Sequence, residues 1–162
     1  MRFVRLTAAL LVLVLLCGCT GLFQKNPVQF YYLRDEITFT NSTSVIASEA
    51  ATEFDDAMTL TEVLELYLTG PNDDALRSPF PEGVELVSVK QDGDTIFLKF
   101  NDHLSSLTGM DLTLACACVT MTCLELTDAV NVSIRAEGTT LDGAAQIKMN
   151  ADSLILLDAS GQ

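Results

Sequence analysis

The stretch Thr59-Leu-Thr-Glu-Val-Leu-Glu-Leu-Tyr-Leu-Thr-Gly-Pro71 decides how this chain folds, because it specifies a helix together with both of its ends. Thr59 and Glu62 form a Ser/Thr-x-x-Glu capping box, in which each residue satisfies an N–H that the first helical turn leaves free. Leu60, Val63, Leu64, Tyr67 and Leu68 follow one another at helical spacing and make a single apolar stripe. Gly70 suits the left-handed residue that closes a helix, and Pro71 forbids continuation. The spacing predicts an amphipathic helix that lays this stripe on a core.

Beyond a loop with Pro79, Pro81 and Gly83, Asp92-Gly93 reads as the two-residue turn of a β-hairpin. With Gln91 opposite Asp94, Val89 pairs with Ile96 and Val87 with Leu98, so four apolar residues share one face. The other face then carries Lys90 with Thr95, Ser88 with Phe97, and Leu86 with Lys99. Leu86, Phe97 and Lys99 on that mixed face are the candidate partner-contact patch.

Upstream, Val28 to Leu33 contains Phe30, Tyr31 and Tyr32 and reads as a first strand. Ile37 to Thr40 and Ser44 to Ala47 are short extended candidates, and residues 49–57 suit an early helical turn. Downstream, Thr108-Gly-Met-Asp111 offers a second helix start. No charge occurs from Leu112 to Leu124, where Leu112, Leu114, Val119, Met121 and Leu124 nearly encircle a helix. A helix that is apolar on all sides is a buried one. Val130, Val132 and Ile134 alternate with polar residues, as in a half-buried strand. Ser153 to Leu157 is expected to supply a last short strand.

The chain has 162 residues and a net charge of −13. Binding to a phosphate backbone needs a basic surface, so nucleic acid is excluded as a partner. The same acidity argues against adhesion to anionic headgroups by charge. Arg2 and Arg5 precede an apolar run from Ala8 to Leu16, the layout of a secretory signal. Leu16-Cys17-Gly18-Cys19 resembles a bacterial lipobox. Residues 1–18 are therefore expected to be a lipoprotein signal peptide, with Cys19 the lipid attachment site and residues 19–27 a tether. Losing Arg2 and Arg5 leaves 7 basic against 22 acidic residues, a net charge of −15. The expected location is the extracytoplasmic face of the cell membrane.

Cys116, Cys118 and Cys123 remain in the mature domain. On one helix, Cys116 and Cys123 lie about 10 Å apart at ~1.5 Å rise per residue, too far for a disulfide. Their spacing is also unlike that of zinc ligands. They read as small core residues, and unpaired thiols on an exported chain suit a reducing habitat. His103, beside Asp102, has no nucleophile in an elbow near it. Asp55-Asp56, Asp73-Asp74 and Asp92/Asp94 are adjacent in sequence, which does not create facing carboxylates. Asp is favoured in turns for backbone reasons. No catalytic residue, metal ligand or cofactor is expected.

The runs Leu60 to Pro71, Ser78-Pro-Phe-Pro-Glu-Gly83, Leu86-Val-Ser-Val89, Asp92-Gly93 and Ile96-Phe-Leu98 together resemble the GerMN domain of sporulation and spore germination proteins. The resemblance covers Val28 to Gly143, with residues 144–162 a C-terminal strand and tail. It implies a single small α+β domain of β-α-β-β-α-β order, with a mixed sheet and helices packed on one face. It also implies a Gram-positive envelope lipoprotein that binds a protein partner or cell-wall material without catalysis, with homo-oligomerisation open. The alternatives are a thiol-redox or metal-binding protein using the helix cysteines, and a peptidoglycan-ligand binding domain.

Overall fold

The computed structural model describes residues 27–35, 44–53 and 57–154. The described elements are, in order, β1 (Gln29–Arg34), β2 (Ile46–Ala50), α1 (Leu60–Leu68), β3 (Leu76–Arg77), β4 (Leu86–Asp92) and β5 (Thr95–Phe100). A 3-10 turn (Asp102–Ser106), α2 (Gly109–Leu126), β6 (Asn131–Ala136) and β7 (Ile147–Asn150) complete them. The fold is α+β in a single small domain. The mixed sheet is four-stranded, in the order β4-β5-β6-β7, with β5 and β6 parallel and its other pairs antiparallel. A separate antiparallel sheet has the order β2-β1-β3.

Helix α2 explains why two sheets are needed. It is the crossover between the parallel strands β5 and β6, and it lies against β1 as well as β6 and β7. From Ala115 to Thr120 six consecutive residues are buried. A helix resting on a single layer leaves one side wet, so a continuous buried run requires cover on more than one side. By length and composition α2 could cross a bilayer, but its place among the strands makes it a core helix. Its start differs from expectation. Thr108 occupies the N-cap position without a side-chain bond, and Asp142 Oδ2 instead accepts from the Gly109 N–H at 3.2 Å. A distant loop caps this helix because the chain fold brings Asp142 there.

Helix α1 follows its sequence closely. Thr59 Oγ1 accepts from the Glu62 N–H at 3.3 Å, and Glu62 Oε2 accepts from the Thr59 N–H at 2.7 Å. Those bonds to Thr59, backbone first and hydroxyl second, hold the Glu62 carboxyl below its ordinary pKa. Val63, Leu64 and Tyr67 are buried along the stripe. Gly70 takes φ +99°, the left-handed conformation its position demands. Tyr67 ties α1 to β1: its hydroxyl donates to Tyr31 O, and the Tyr32 hydroxyl donates to Tyr67 O, both at 2.9 Å.

The Ser78-Pro-Phe-Pro-Glu-Gly83 loop joins the two halves of the core. Phe80 stacks on Phe100 of β5 with centroids 5.6 Å apart and meets Tyr67 edge-on at 6.0 Å. Gly83 has φ +86°, and a Cβ there would stand 2.4 Å from His103 Nδ1. His103 is thus a neighbour of the loop glycine. Gly83→Ala is expected to lower stability by about 1–2 kcal/mol through backbone strain, read as a fall in the denaturant midpoint. Removing the ring in His103→Ala should recover only the part of that loss that comes from the steric contact.

The hairpin turns one residue later than its Asp-Gly motif predicts. Asp92 pairs with Thr95, and Gly93-Asp94 forms the loop. Gly93 has φ +59° and Asp94 is not among the positive-φ residues, which matches a type II′ turn with glycine first. Val89 therefore faces Leu98 instead of Ile96. Ile96 and Leu98 lie two apart on one strand, so this displacement keeps Val89, Ile96 and Leu98 on one face, with Gln91 now opposite Ile96 and Val87 no longer opposite Leu98. The last described strand also stands earlier than expected. It is β7 at Ile147–Asn150, where Ile147 and Met149 face the core across from Ile134 and Val132. Residues 153–154 belong to a helical turn after it, and 155–157 lie outside the described residues. Strand β2 begins two residues later than the expected piece at Ser44 and takes up Glu49 and Ala50, while Ile37 to Thr40 lies outside the described residues.

Candidate interaction surface

The four-stranded sheet has one dry face and one wet face. Ile96, Leu98 and Phe100 on β5 and Val132, Ile134 and Ala136 on β6 are buried on the inner side. Alternation sends Phe97, Lys99, Asn131, Ser133 and Arg135 outward. In the middle row of this outer face, Lys90, Phe97, Ser133 and Lys148 stand side by side across all four strands. In the next row Ser88, Lys99 and Arg135 are neighbours. Phe97 remains 40% exposed, while Ser133 is sheltered by its neighbours and shares a 3.1 Å hydrogen bond with Gln146.

Of the expected contact patch, Phe97 and Lys99 lie on this face and Leu86 does not. The register shifts between Leu86 and Ser88, and Leu86 pairs with Phe100 on the core side. Val87 is left as the extra residue and is exposed. A β-bulge reverses the facing of every residue beyond it, and the alternating pattern Leu-Val-Ser-Val carries no mark of where the bulge falls. Lys90, Arg135 and Lys148 belong to the face as well. Lys90 joins it through the hairpin pairing, whereas bringing Arg135 and Lys148 beside Phe97 depends on the β5–β6 and β6–β7 pairings, which a sequence does not announce.

The other candidates are spread over the molecule. Cys116, Cys118 and Cys123 are buried in α2, and burial pushes each thiol up to about 12. A protonated, enclosed thiol is a poor nucleophile and a poor ligand. Among the described residues no three His, Cys, Asp or Glu side chains converge as a metal site would require. Asp73 Oδ1 accepts from the Ala75 N–H at 2.9 Å, a turn role. Lys90 pairs with Asp92 at 3.3 Å beside the hairpin turn. Asp55-Asp56 and Cys19 lie outside the described residues.

A shallow depression of about 80 Å³ is lined by Phe30, Tyr32, Glu49, Leu66 and Asn72, among others. Small-molecule sites usually run to about 300–1,000 Å³. The Glu49 carboxylate in it already accepts from the N–H groups of Asn72 and Asp73 at 3.0 Å. Glu49 therefore fastens β2 to the turn after α1.

A profile of the Germane family, described as sporulation and spore germination, matches residues 29–142. The chain belongs to this family. The Germane match runs from β1 to the Asp142 loop and so takes in both helices and every described strand except β7. The structure is similar to the first GerMN domain of the sporulation protein GerM from Bacillus subtilis, with TM-score 0.52 and 14% identity. That alignment covers 73% of this chain and 91% of the other. The tandem GerMN domains of GerM align at TM-score 0.49 and 22% identity, over 75% of this chain and 42% of that one. This chain therefore spans less than half the length of the tandem structure. A candidate lipoprotein from Clostridium perfringens aligns at TM-score 0.46 and 12% identity, covering 76% of this chain and 89% of the other. At 14% identity the likeness to the first GerMN domain is one of fold. No curated protein sequence matches the chain.

Proposed function

We propose that this member of the Germane family is a lipid-anchored extracytoplasmic protein whose domain is a non-enzymatic binding and assembly module. It works between membrane and cell wall during sporulation or germination. The observation that carries the module reading is the outer face of the four-stranded sheet. A half-exposed phenylalanine stands there among cations, while the thiols of the domain are enclosed and protonated. A solvent-facing aromatic ringed by charge suits a protein contact, and nothing about it suits bond-making chemistry.

The anchor rests on the leader and on Leu16-Cys17-Gly18-Cys19. A diacylated cysteine holds firmly, because each buried methylene contributes about 0.8 kcal/mol. Cys19→Ala is expected to abolish lipid labelling and either release the protein to the medium or leave its leader uncut. Metabolic labelling with a fatty acid, followed by fractionation, reads this directly. A variant that still carries label and stays with the membrane refutes the anchor. For the module, crosslinking in living cells should yield adducts with a defined envelope protein. Retention on purified peptidoglycan without such adducts would replace the protein partner with a wall ligand.

A further inference from the structure

We infer that the outer face of the four-stranded sheet docks an acidic polypeptide segment that sets an apolar side chain against Phe97. The inference rests on the module reading above and names the chemistry of its partner. It starts from an uneven distribution of charge. The chain carries 9 Lys and Arg against 22 Asp and Glu. Four of those nine cations, Lys90, Lys99, Arg135 and Lys148, point outward from this one face. The carboxylates bonded to them stand at the border: Asp92 pairs with Lys90 next to the hairpin turn, and Glu137, just past β6, pairs with Lys99. Arg135 and Lys148 are exposed and have no carboxylate partner among the described residues.

Net charge acts over long distances, but physiological salt screens it beyond about 8 Å. A partner in contact with this face therefore meets its local cations and not the −13 of the whole chain. The middle row spans four strands at ~4.8 Å spacing, so Lys90 and Lys148 stand about 14 Å apart with Phe97 between them. That width suits an extended segment or one face of a helix.

Phe97 selects between classes of anion. A bare polyphosphate or a layer of phosphate headgroups would be satisfied by the cations alone. A protein interface characteristically has an apolar or aromatic centre within a charged, wet border. The ring at 40% exposure and the unpaired Arg135 provide that arrangement.

Photo-crosslinking in cells, with the full-length chain carrying the crosslinker at position 97 or at the exposed Met110, tests the inference and separates it from the module reading. Position 97 is expected to give an adduct with a polypeptide whose crosslinked segment is rich in Asp and Glu. Arg135→Glu with Lys148→Glu should remove that adduct. In detergent, the full-length protein should bind a labelled Glu/Asp-rich peptide with a central leucine about tenfold more tightly than the double variant does. Added salt should weaken binding, and Phe97→Ala should lose the preference for the leucine peptide over an all-acidic one. Arg135→Gln with Lys148→Gln should give an intermediate loss, with a far-UV melt matching the parent.

Adducts from position 110 and none from 97 would overturn this inference and leave the module reading standing. Adducts from neither position would count against both. Stronger binding to polyphosphate or to phosphatidylglycerol vesicles than to the leucine peptide would also overturn it, in favour of a non-protein polyanion.

Discussion

Leu64→Asp is expected to abolish cooperative folding of the domain. Leu64 is 1% exposed and sits in the core below α1, beside Val63 and Tyr67. Truncating a leucine in such a position costs about 2–5 kcal/mol through lost contacts and the cavity left behind. Aspartate adds the cost of a carboxylate with no partner in an apolar setting, which is several kcal/mol more even when the group is neutralised by a proton. Small domains have only about 5–15 kcal/mol of stability, so the two costs together reach that range. Glu65→Asp supplies the control, because Glu65 is the next residue along the same helix and is exposed. It should leave the melting temperature within about 2–3 °C of the parent, as surface changes on this scale usually do. Far-UV circular dichroism during heating distinguishes the two. A Leu64→Asp protein that still melts in a single sharp transition near the parental temperature would show that the stripe of α1 is not in the core.

How far the fold could be read from the chain depended on whether each determinant was local. The capping box, the stripe and Gly70 are all within a dozen residues, and α1 carries every one of them. The uncharged run of α2 announced a core helix for the same reason, although only Leu112 and Val119 of its large apolar residues are fully buried while Leu114, Met121 and Leu124 are half-buried. The division into two sheets was not announced. It depends on β1 taking β2 and β3 as antiparallel neighbours while β5 reaches across α2 to β6. The hairpin is an intermediate case. Gly93 can stand first or second in a two-residue loop, and the choice moved the pairing by two residues while keeping Val89, Ile96 and Leu98 on one face.

The interaction surface was legible to the same partial degree. Phe97 and Lys99 follow from hairpin alternation and stand where that alternation puts them. Leu86 failed because one unpaired residue in β4 turned it inward. Arg135 and Lys148 could not be joined to the surface without the β5–β6–β7 pairings. The cap on α2 failed for a similar reason: Asp142 lies 33 residues from Gly109 in sequence and bonds to it only in the folded chain.

The second large effect concerns alkaline pH. Cys116, Cys118 and Cys123 each have their pKa pushed up to about 12 by burial from an ordinary value of 9.0. Between these values the folded domain holds protons that the unfolded chain releases, so unfolding is favoured as pH rises. The stabilisation is fully present below the ordinary thiol range and is lost progressively toward pH 12. At pH 10 each thiol contributes roughly one pKa unit of that loss, on the order of 1 kcal/mol, so together they lower stability by several kcal/mol relative to pH 7. Burial also raises Tyr32 and Tyr67, which adds to the loss above pH 10. Urea titrations at pH 7.5 and pH 10 should therefore show a marked fall in midpoint. Replacing the three cysteines by alanine should flatten the pH dependence while leaving the tyrosine contribution. Thiol labelling gives an independent readout. In native conditions near pH 8 all three should react slowly, at a rate that increases with added denaturant as the core opens. Rapid labelling of one cysteine in the native domain, together with a urea midpoint unchanged at pH 10, would mean that a thiolate is exposed on α2 and would return the redox alternative to contention.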